Sequence, residues 1–221
     1  MAKAALFDMD GLLLDTEPIW GVVMKSVATA HGVVVPMHRI RETAGLRIVE
    51  VCHHWQRHFE WPAGLTPEKL SGAIVDGVIE TSRQQASVLP GVQALLASLQ
   101  AEGWKIGLAS SSPLRMIRDL TTFFGIAPFF ESIISADTAA LGKPHPEVYL
   151  QCATQLGVGA HQCIVLEDTV NGCISAKAAR MKVLAVPHHE WAQDPRFALA
   201  DQVVASLEGV DAKDLEAVLM G

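Results

Sequence analysis

Ala4-Ala5-Leu6-Phe7-Asp8-Met9-Asp10-Gly11 is a short apolar run that ends in two carboxylates one residue apart, followed by glycine. Four apolar residues without polar alternation read as a strand buried on both faces, as in a parallel sheet. In open α/β sheets ligands bind beyond the carboxyl ends of the strands, so Asp8 and Asp10 would stand at the rim of a site. Two close carboxylates repel, and one pKa rises unless a cation neutralises them. A hard divalent ion such as Mg²⁺, which takes oxygen ligands, would do so. One carboxylate is then available as a nucleophile and the other as a proton donor and acceptor. Alone, the pair reads more readily as two aspartates capping a turn, and the rest of the chain has to reverse that reading.

Downstream, Asp15 or Thr16 caps a helix with Pro18 in its first turn, running from Ile19 to about Ala30 and stopped by His31-Gly32. The stretch to about Gln85 offers amphipathic helical segments punctuated by Pro36, Pro62, Gly64 and Pro67, and no convincing strand. From Leu89-Pro90-Gly91 onward the pattern alternates helix and strand, with strands expected at 104–109, 133–136, 163–166 and 183–186 and a sixth at 203–204. The fold class is therefore α/β: a Rossmann-like parallel sheet core, residues 1–15 and 88–221, with an inserted all-helical cap subdomain, residues 16–87.

The chain has 221 residues, 50% hydrophobic and 19% charged, the composition of a globular protein with a substantial core. With 17 Lys and Arg against 24 Asp and Glu, the net charge of −7 argues against nucleic acid and anionic membrane as partners. Cys52, Cys152, Cys163 and Cys173 have no CxxC spacing, which points to reduced thiols in the cytoplasm. No signal peptide and no membrane-spanning run is read from the chain. His53, His54 and His58 lie on an amphipathic helix and lack the acidic base of an HExxH metal motif. Trp55, Phe59 and Trp61 read as core of the helical segment, and His188-His189 as loop.

Unusual polar residues recur at the ends of the predicted strands or in the loops beside them. Ser110-Ser111-Ser112-Pro113 follows the second, Gly142-Lys143-Pro144-His145-Pro146 lies beyond the third, and Glu167-Asp168 ends the fourth. Individually these are a helix cap, an exposed lysine and acids at a helix start. Together they supply a metal cage, a nucleophile, a phosphate cradle and a cation, the parts phosphoryl transfer requires.

In order and separation, DMDGLLLDTEP, LASSSP, GKPHPEVYL and LEDTVNG resemble the haloacid dehalogenase superfamily, in its phosphatase branch with a helical cap. The resemblance covers essentially the whole chain. It implies that Asp8 is the nucleophile that becomes an aspartyl-phosphate, Asp10 the general acid and base, and Lys143 the bridge between phosphate and nucleophile. Ser110, with Ser111, would bind phosphate. Mg²⁺ would be held by Asp8, Asp168 and Asp10, the last through its backbone carbonyl, with Glu167 an inner- or outer-shell ligand. The second aspartate separates this branch from the dehalogenases, which lack it. Within the branch the chain is similar to bacterial sugar phosphatases, which implies a monomeric enzyme for 2-deoxyglucose 6-phosphate or hexitol phosphates. Arg47, in Gly45-Leu46-Arg47, Glu17 and Asn171 are the expected substrate-binding residues. A phosphosugar mutase using the same aspartyl-phosphate, a phosphatase for another small phosphometabolite, and a noncatalytic phosphosugar-binding module are the alternatives.

Overall fold

The computed structural model describes residues 2–221. Six strands, β1 (Ala4–Phe7), β2 (Lys105–Ser110), β3 (Ser132–Ser135), β4 (Cys163–Glu167), β5 (Lys182–Ala185) and β6 (Gln202–Val203), form one parallel sheet in the order β3-β2-β1-β4-β5-β6. The α/β class expected from the apolar runs is thus the fold of the molecule. Each strand falls within about a residue of its expected place.

β1 is central: Phe7 lies opposite Leu108 in β2 and Leu166 in β4. All four residues of β1 are buried, which is why the run shows no alternation. Ala5 and Phe7 join the core beneath α5 (Val92–Ala101), α6 (Leu114–Phe123) and α9 (Ala212–Met220). Ala4 and Leu6 face the opposite core, under α7 (Glu147–Leu156) and α8 (Val170–Ala178). The chain moves from β1 to one side through β2 and β3 and returns to the other through β4. The strand order therefore switches direction between β1 and β4, where open α/β sheets bind ligands.

Between β1 and α5 the chain forms α1 (Glu17–Ala30), α2 (Met37–Arg41), α3 (Ile48–His58) and α4 (Pro67–Gln85). α4 begins with Thr66 accepting from Lys69 N at 3.3 Å and Pro67 in the first turn. Buried Trp55, Leu70, Ile74 and Val78 hold α3 and α4 together, and Trp55 stacks on Trp61 with ring centroids 6.3 Å apart. His54 and His58 are exposed on α3. Entry and exit of this helical segment run side by side: Leu14 bridges Val88 antiparallel, with Asp15 N bonded to Ser87 O and Leu89 N to Leu13 O. Among the described residues, no helix is long and apolar enough to cross a membrane.

Candidate active site

β1, β2 and β4 deliver their polar ends to one place. The Asp8 amide continues the ladder to Leu166 O at 3.1 Å, after which the chain turns through Gly11 at φ +74°. A side chain at Gly11 would be strained by that φ and would run into the Asp168 carboxylate. Gly172 answers the same need on the other side, since a Cβ there would overlap the Glu167 carboxylate.

Lys143 is the hub. It is 2% exposed, and its Nζ donates to Asp8 Oδ1 and Glu167 Oε1, both at 2.6 Å. The ammonium also lies 4.7 Å from the centre of the Tyr149 ring, whose hydroxyl donates to Glu167 Oε1 at 2.6 Å. Glu167 Oε2 accepts from Asp168 N, Thr169 N and Thr169 Oγ1. Both oxygens of Glu167, an expected metal ligand, are therefore committed to protein donors. It fixes Lys143 and the start of α8.

Asp10 is held by three donors from separate parts of the chain. Thr16 Oγ1 and Trp20 Nε1 reach Oδ1 at 2.7 and 2.9 Å, and Ser112 Oγ reaches Oδ2 at 2.6 Å. Its side chain is thereby occupied, and the main-chain carbonyl is what it has left for a metal. Ser110 Oγ accepts from Ser112 N at 3.1 Å, while Ser135 Oγ fastens Ser112 O at 2.7 Å. The hydroxyl-rich turn after β2 is thus a built feature and more than a helix cap.

Four carboxylates, Asp8, Asp10, Glu167 and Asp168, gather here, and two of them, Asp8 and Glu167, share one buried ammonium. Burial works against the Lys143 charge, yet Asp8 and Glu167 keep it protonated well above its ordinary range. Burial also disfavours the Glu167 anion, but Lys143 and its other donors outweigh this and hold it low. Asp8 goes the other way. Burial pushes it up to about 7, and although Lys143 opposes that, Glu167 and Asp10 add to it. Asp168 is raised well above its usual range, first by burial and then by Glu167 and Asp8. Asp168 Oδ1 is moreover buried without a hydrogen-bond partner. An orphaned carboxylate oxygen beside an excess of negative charge fits a hard divalent cation. Among the described residues no three His, Cys, Asp or Glu side chains form a ready cage. Two carboxylates plus a backbone carbonyl is the donor set that remains.

A cavity of about 240 Å³ opens above Asp8, lined also by Asp10, Ser110, Ser111, Lys143 and Glu17. The helical segment contributes an apolar wall including Met37, Ile40, Leu46 and Val51. A neighbouring cavity of about 480 Å³ shares Glu17 and reaches Asp168 and Asn171. Burial, then Asp10 and Glu190, push Glu17 up to about 7.

Three expected substrate ligands have other partners. Arg47 lines neither cavity. Its guanidinium bonds Glu50 on its own helix and the carbonyls of Ala136, Ala139 and Ala140, at 3.2, 3.0 and 3.3 Å. Asn171 Nδ2 donates to Ala44 O at 3.0 Å, and Ser111 Oγ to Gly45 O at 2.7 Å. These three side chains clamp the 44–47 turn of the helical segment to the sheet. Spacing could not reveal this, because main-chain carbonyls carry no sequence signature.

Other site residues were not anticipated. Thr16 and Ser112 were visible only as capping hydroxyls, and Tyr149 only as part of the PHPEVYL segment. The loop after β5 brings His188, Glu190 and Trp191 to the cavity. Its one sequence signal was its place after a fifth apolar strand, at the sheet edge where the other polar residues gather.

The sequence profile of the haloacid dehalogenase-like hydrolases matches residues 2–180. Hexitol phosphatase B of Escherichia coli K12 is 40% identical over 213 residues, which are 96% of this chain and 96% of that protein. CbbY from Rhodobacter sphaeroides, solved in complex with phosphate, superposes with a TM-score of 0.88 at 25% identity, covering 98% of this chain and 100% of that one. A CbbY variant was solved with xylulose-(1,5)bisphosphate, and at 24% identity and TM-score 0.88, covering 97% and 99% of the two chains, it speaks to fold alone.

Proposed function

The chain belongs to the haloacid dehalogenase-like hydrolases and is an enzyme of the phosphatase kind, and within that family we propose that it hydrolyses sugar or sugar-alcohol phosphates through an aspartyl-phosphate on Asp8. The observation that carries the reading is the state of Asp8. Its Oδ1 is held by Lys143 at 2.6 Å, and Oδ2 has no hydrogen-bond partner among the described residues while the residue lines the cavity. A carboxylate fixed at one oxygen and free at the other is prepared to attack phosphorus in line.

In the proposed sequence Asp8 Oδ2 attacks the phosphoryl group, whose oxygens meet the Lys143 ammonium and the Ser110 hydroxyl. Asp10, held by Thr16, Trp20 and Ser112, gives a proton to the departing sugar alkoxide. It then takes a proton from the water that cleaves the acyl phosphate, returning Asp8 to its carboxylate. Asp8, Asp168 and the Asp10 carbonyl would hold Mg²⁺, which when bound neutralises charge on the phosphoryl oxygens. The helices of residues 16–87 act as a cap that limits water around the acyl phosphate. The clamp formed by Arg47, Asn171 and Ser111 supports a closed arrangement of that cap.

The sugar or sugar-alcohol assignment follows hexitol phosphatase B, whose likeness spans the cap as well as the sheet. The proposal extends to a cytoplasmic monomer, in keeping with four free, buried cysteines. The test is phosphate release across hexitol, hexose, pentose, nucleotide and glycolate phosphates with Mg²⁺ present. Preference for hexitol or hexose esters is the expected result, and release from none of them contradicts the proposal.

A further inference from the structure

The cations around the cavity are few, and each has a partner. Lys143, at the base, is the buried one. Arg41, the other cation on the lining, comes from the end of α2 and is about half exposed. Its guanidinium makes a 2.8 Å ion pair with Glu190 of the loop after β5 and lies 5.3 Å over the Trp191 ring. Arg47 is turned away, occupied by Glu50 and three backbone carbonyls. Apart from the catalytic groups and Arg41, the charged residues on this lining are Glu17 and Glu190.

A ligand phosphate at Asp8 therefore meets an ammonium, whereas a second phosphate elsewhere in the cavity would meet the acidic side chains of Glu17 and Glu190 and a guanidinium already paired with Glu190. We propose that this is a single-phosphate cavity, in which Glu190, by holding Arg41, and Glu17 reject a second phosphate and accept the hydroxyls of the polyol chain. Rejection of a competing ligand by like charge is as effective a source of specificity as added attraction to the right one. Glu17 can serve hydroxyls in either protonation state, as acceptor when ionised and as donor when neutral. The CbbY complex indicates that this fold accommodates a sugar bisphosphate, so the selection has to come from side chains.

On this proposal the same charge layout argues against the phosphosugar mutase alternative. A mutase that returns the phosphoryl group of Asp8 to a sugar monophosphate forms a sugar bisphosphate. That species must then rebind with its other phosphate over Asp8, so both ends of the cavity need a cationic seat. This cavity has one.

The inference rests on the phosphatase reading, and one set of assays separates the two. Phosphate release by the full chain with Mg²⁺ is measured on acetyl phosphate, a hexose 6-phosphate and a hexose 1,6-bisphosphate. Wild type should favour the monophosphate over the bisphosphate by about a hundredfold in kcat/KM, given a like-charge cost of several kcal/mol at about tenfold per 1.4 kcal/mol. Glu190→Gln releases Arg41, and Glu17→Gln removes a carboxylate. Each should shrink the preference by about tenfold, one factor of 1.4 kcal/mol, chiefly through a lower KM for the bisphosphate. A gain on the bisphosphate is a result that damaged folding cannot produce. Equal use of the two hexose esters by wild type overturns the proposal, as does a preference unmoved in both variants. Failure to release phosphate even from acetyl phosphate instead contradicts the phosphatase reading itself.

Discussion

Trp20 Nε1 donates to Asp10 Oδ1 across 2.9 Å, so the first turn of α1 grips the carboxylate that follows β1. Thr16, at the entry to the same helix, grips that oxygen as well. The proposed proton donor is thereby oriented by the helical segment, and if that segment closes over the substrate as proposed, these two hydrogen bonds would couple chemistry to closure.

Trp20→Phe keeps the ring and removes one donor, so kcat on a hexitol phosphate should fall about 2- to 10-fold, the worth of one hydrogen bond. Asp10→Asn should fall by about 10²–10⁴, the range of general acid catalysis, and less on nitrophenyl phosphate, whose leaving group needs no proton. Steady-state kinetics on both esters checks this. Equal losses on the two would remove Asp10 from the acid role.

Lys143→Met strands two buried carboxylates, Asp8 and Glu167, that now share one ammonium. Breaking a buried ion pair on one side costs about 3–5 kcal/mol, so urea denaturation should give a lower midpoint with an unchanged slope, and turnover should vanish. Tyr149→Phe, which removes one donor to Glu167, should cost about 1–3 kcal/mol. A Lys143→Met protein as stable as wild type would refute the charge layout.

Glu17 gives a pH dependence of definite sign. Its carboxyl is raised from 4.5 to about 7, first by burial and then by Asp10 and Glu190. The folded state thus binds this proton more tightly than the unfolded state does. The resulting stability is complete below the unfolded pKa and is lost as pH rises through about 7. Glu17→Gln removes that loss, so relative to wild type it should gain about 1–2 kcal/mol between pH 5 and pH 8, discounted for partial exposure. Thermal melts of both proteins across that range measure it. A difference that is flat with pH, or that grows toward acid, contradicts the assignment.

Arg47→Ala removes the contacts to Ala136, Ala139 and Ala140 that fasten the helical segment to the sheet. If Arg47 serves closure and leaves recognition to others, kcat/KM should drop by a similar factor on acetyl phosphate and hexitol phosphate. About 1–2 kcal/mol, or 5- to 30-fold, is the expected size. Loss confined to the hexitol ester would instead restore Arg47 to direct substrate contact.

The parts of this molecule that could be read from sequence are those whose chemistry sits directly on a strand end. Asp8, Ser110 and Asp168 each follow a run that is apolar because it is buried on both faces, and the runs identified both the sheet and its rim. Lys143 was recognisable only in the company of the others, since an isolated lysine in a loop is usually solvated. For Glu167 and Arg47 the sequence could not show what else holds the side chain. Each has a charge suited to a ligand, yet long-range partners consume it: Lys143 and Tyr149 for Glu167, backbone carbonyls some ninety positions away for Arg47. His188-His189 was legible only as loop, because nothing in the residue pattern of 188–191 distinguishes it from an ordinary surface turn. Its proximity to Arg41 and Glu17 arises from the order of strands in the sheet.

The central claim is that phosphate passes through Asp8, and the direct measurement is acid quench of the enzyme during turnover, followed by peptide mass spectrometry. The account predicts an acid-stable, hydroxylamine-labile phosphoryl group on the peptide carrying Asp8, absent from Asp8→Asn and accumulating when Asp10→Asn slows its hydrolysis. A phosphoryl group found on Ser110, or no phosphorylated peptide while phosphate is being released at full rate, would contradict it.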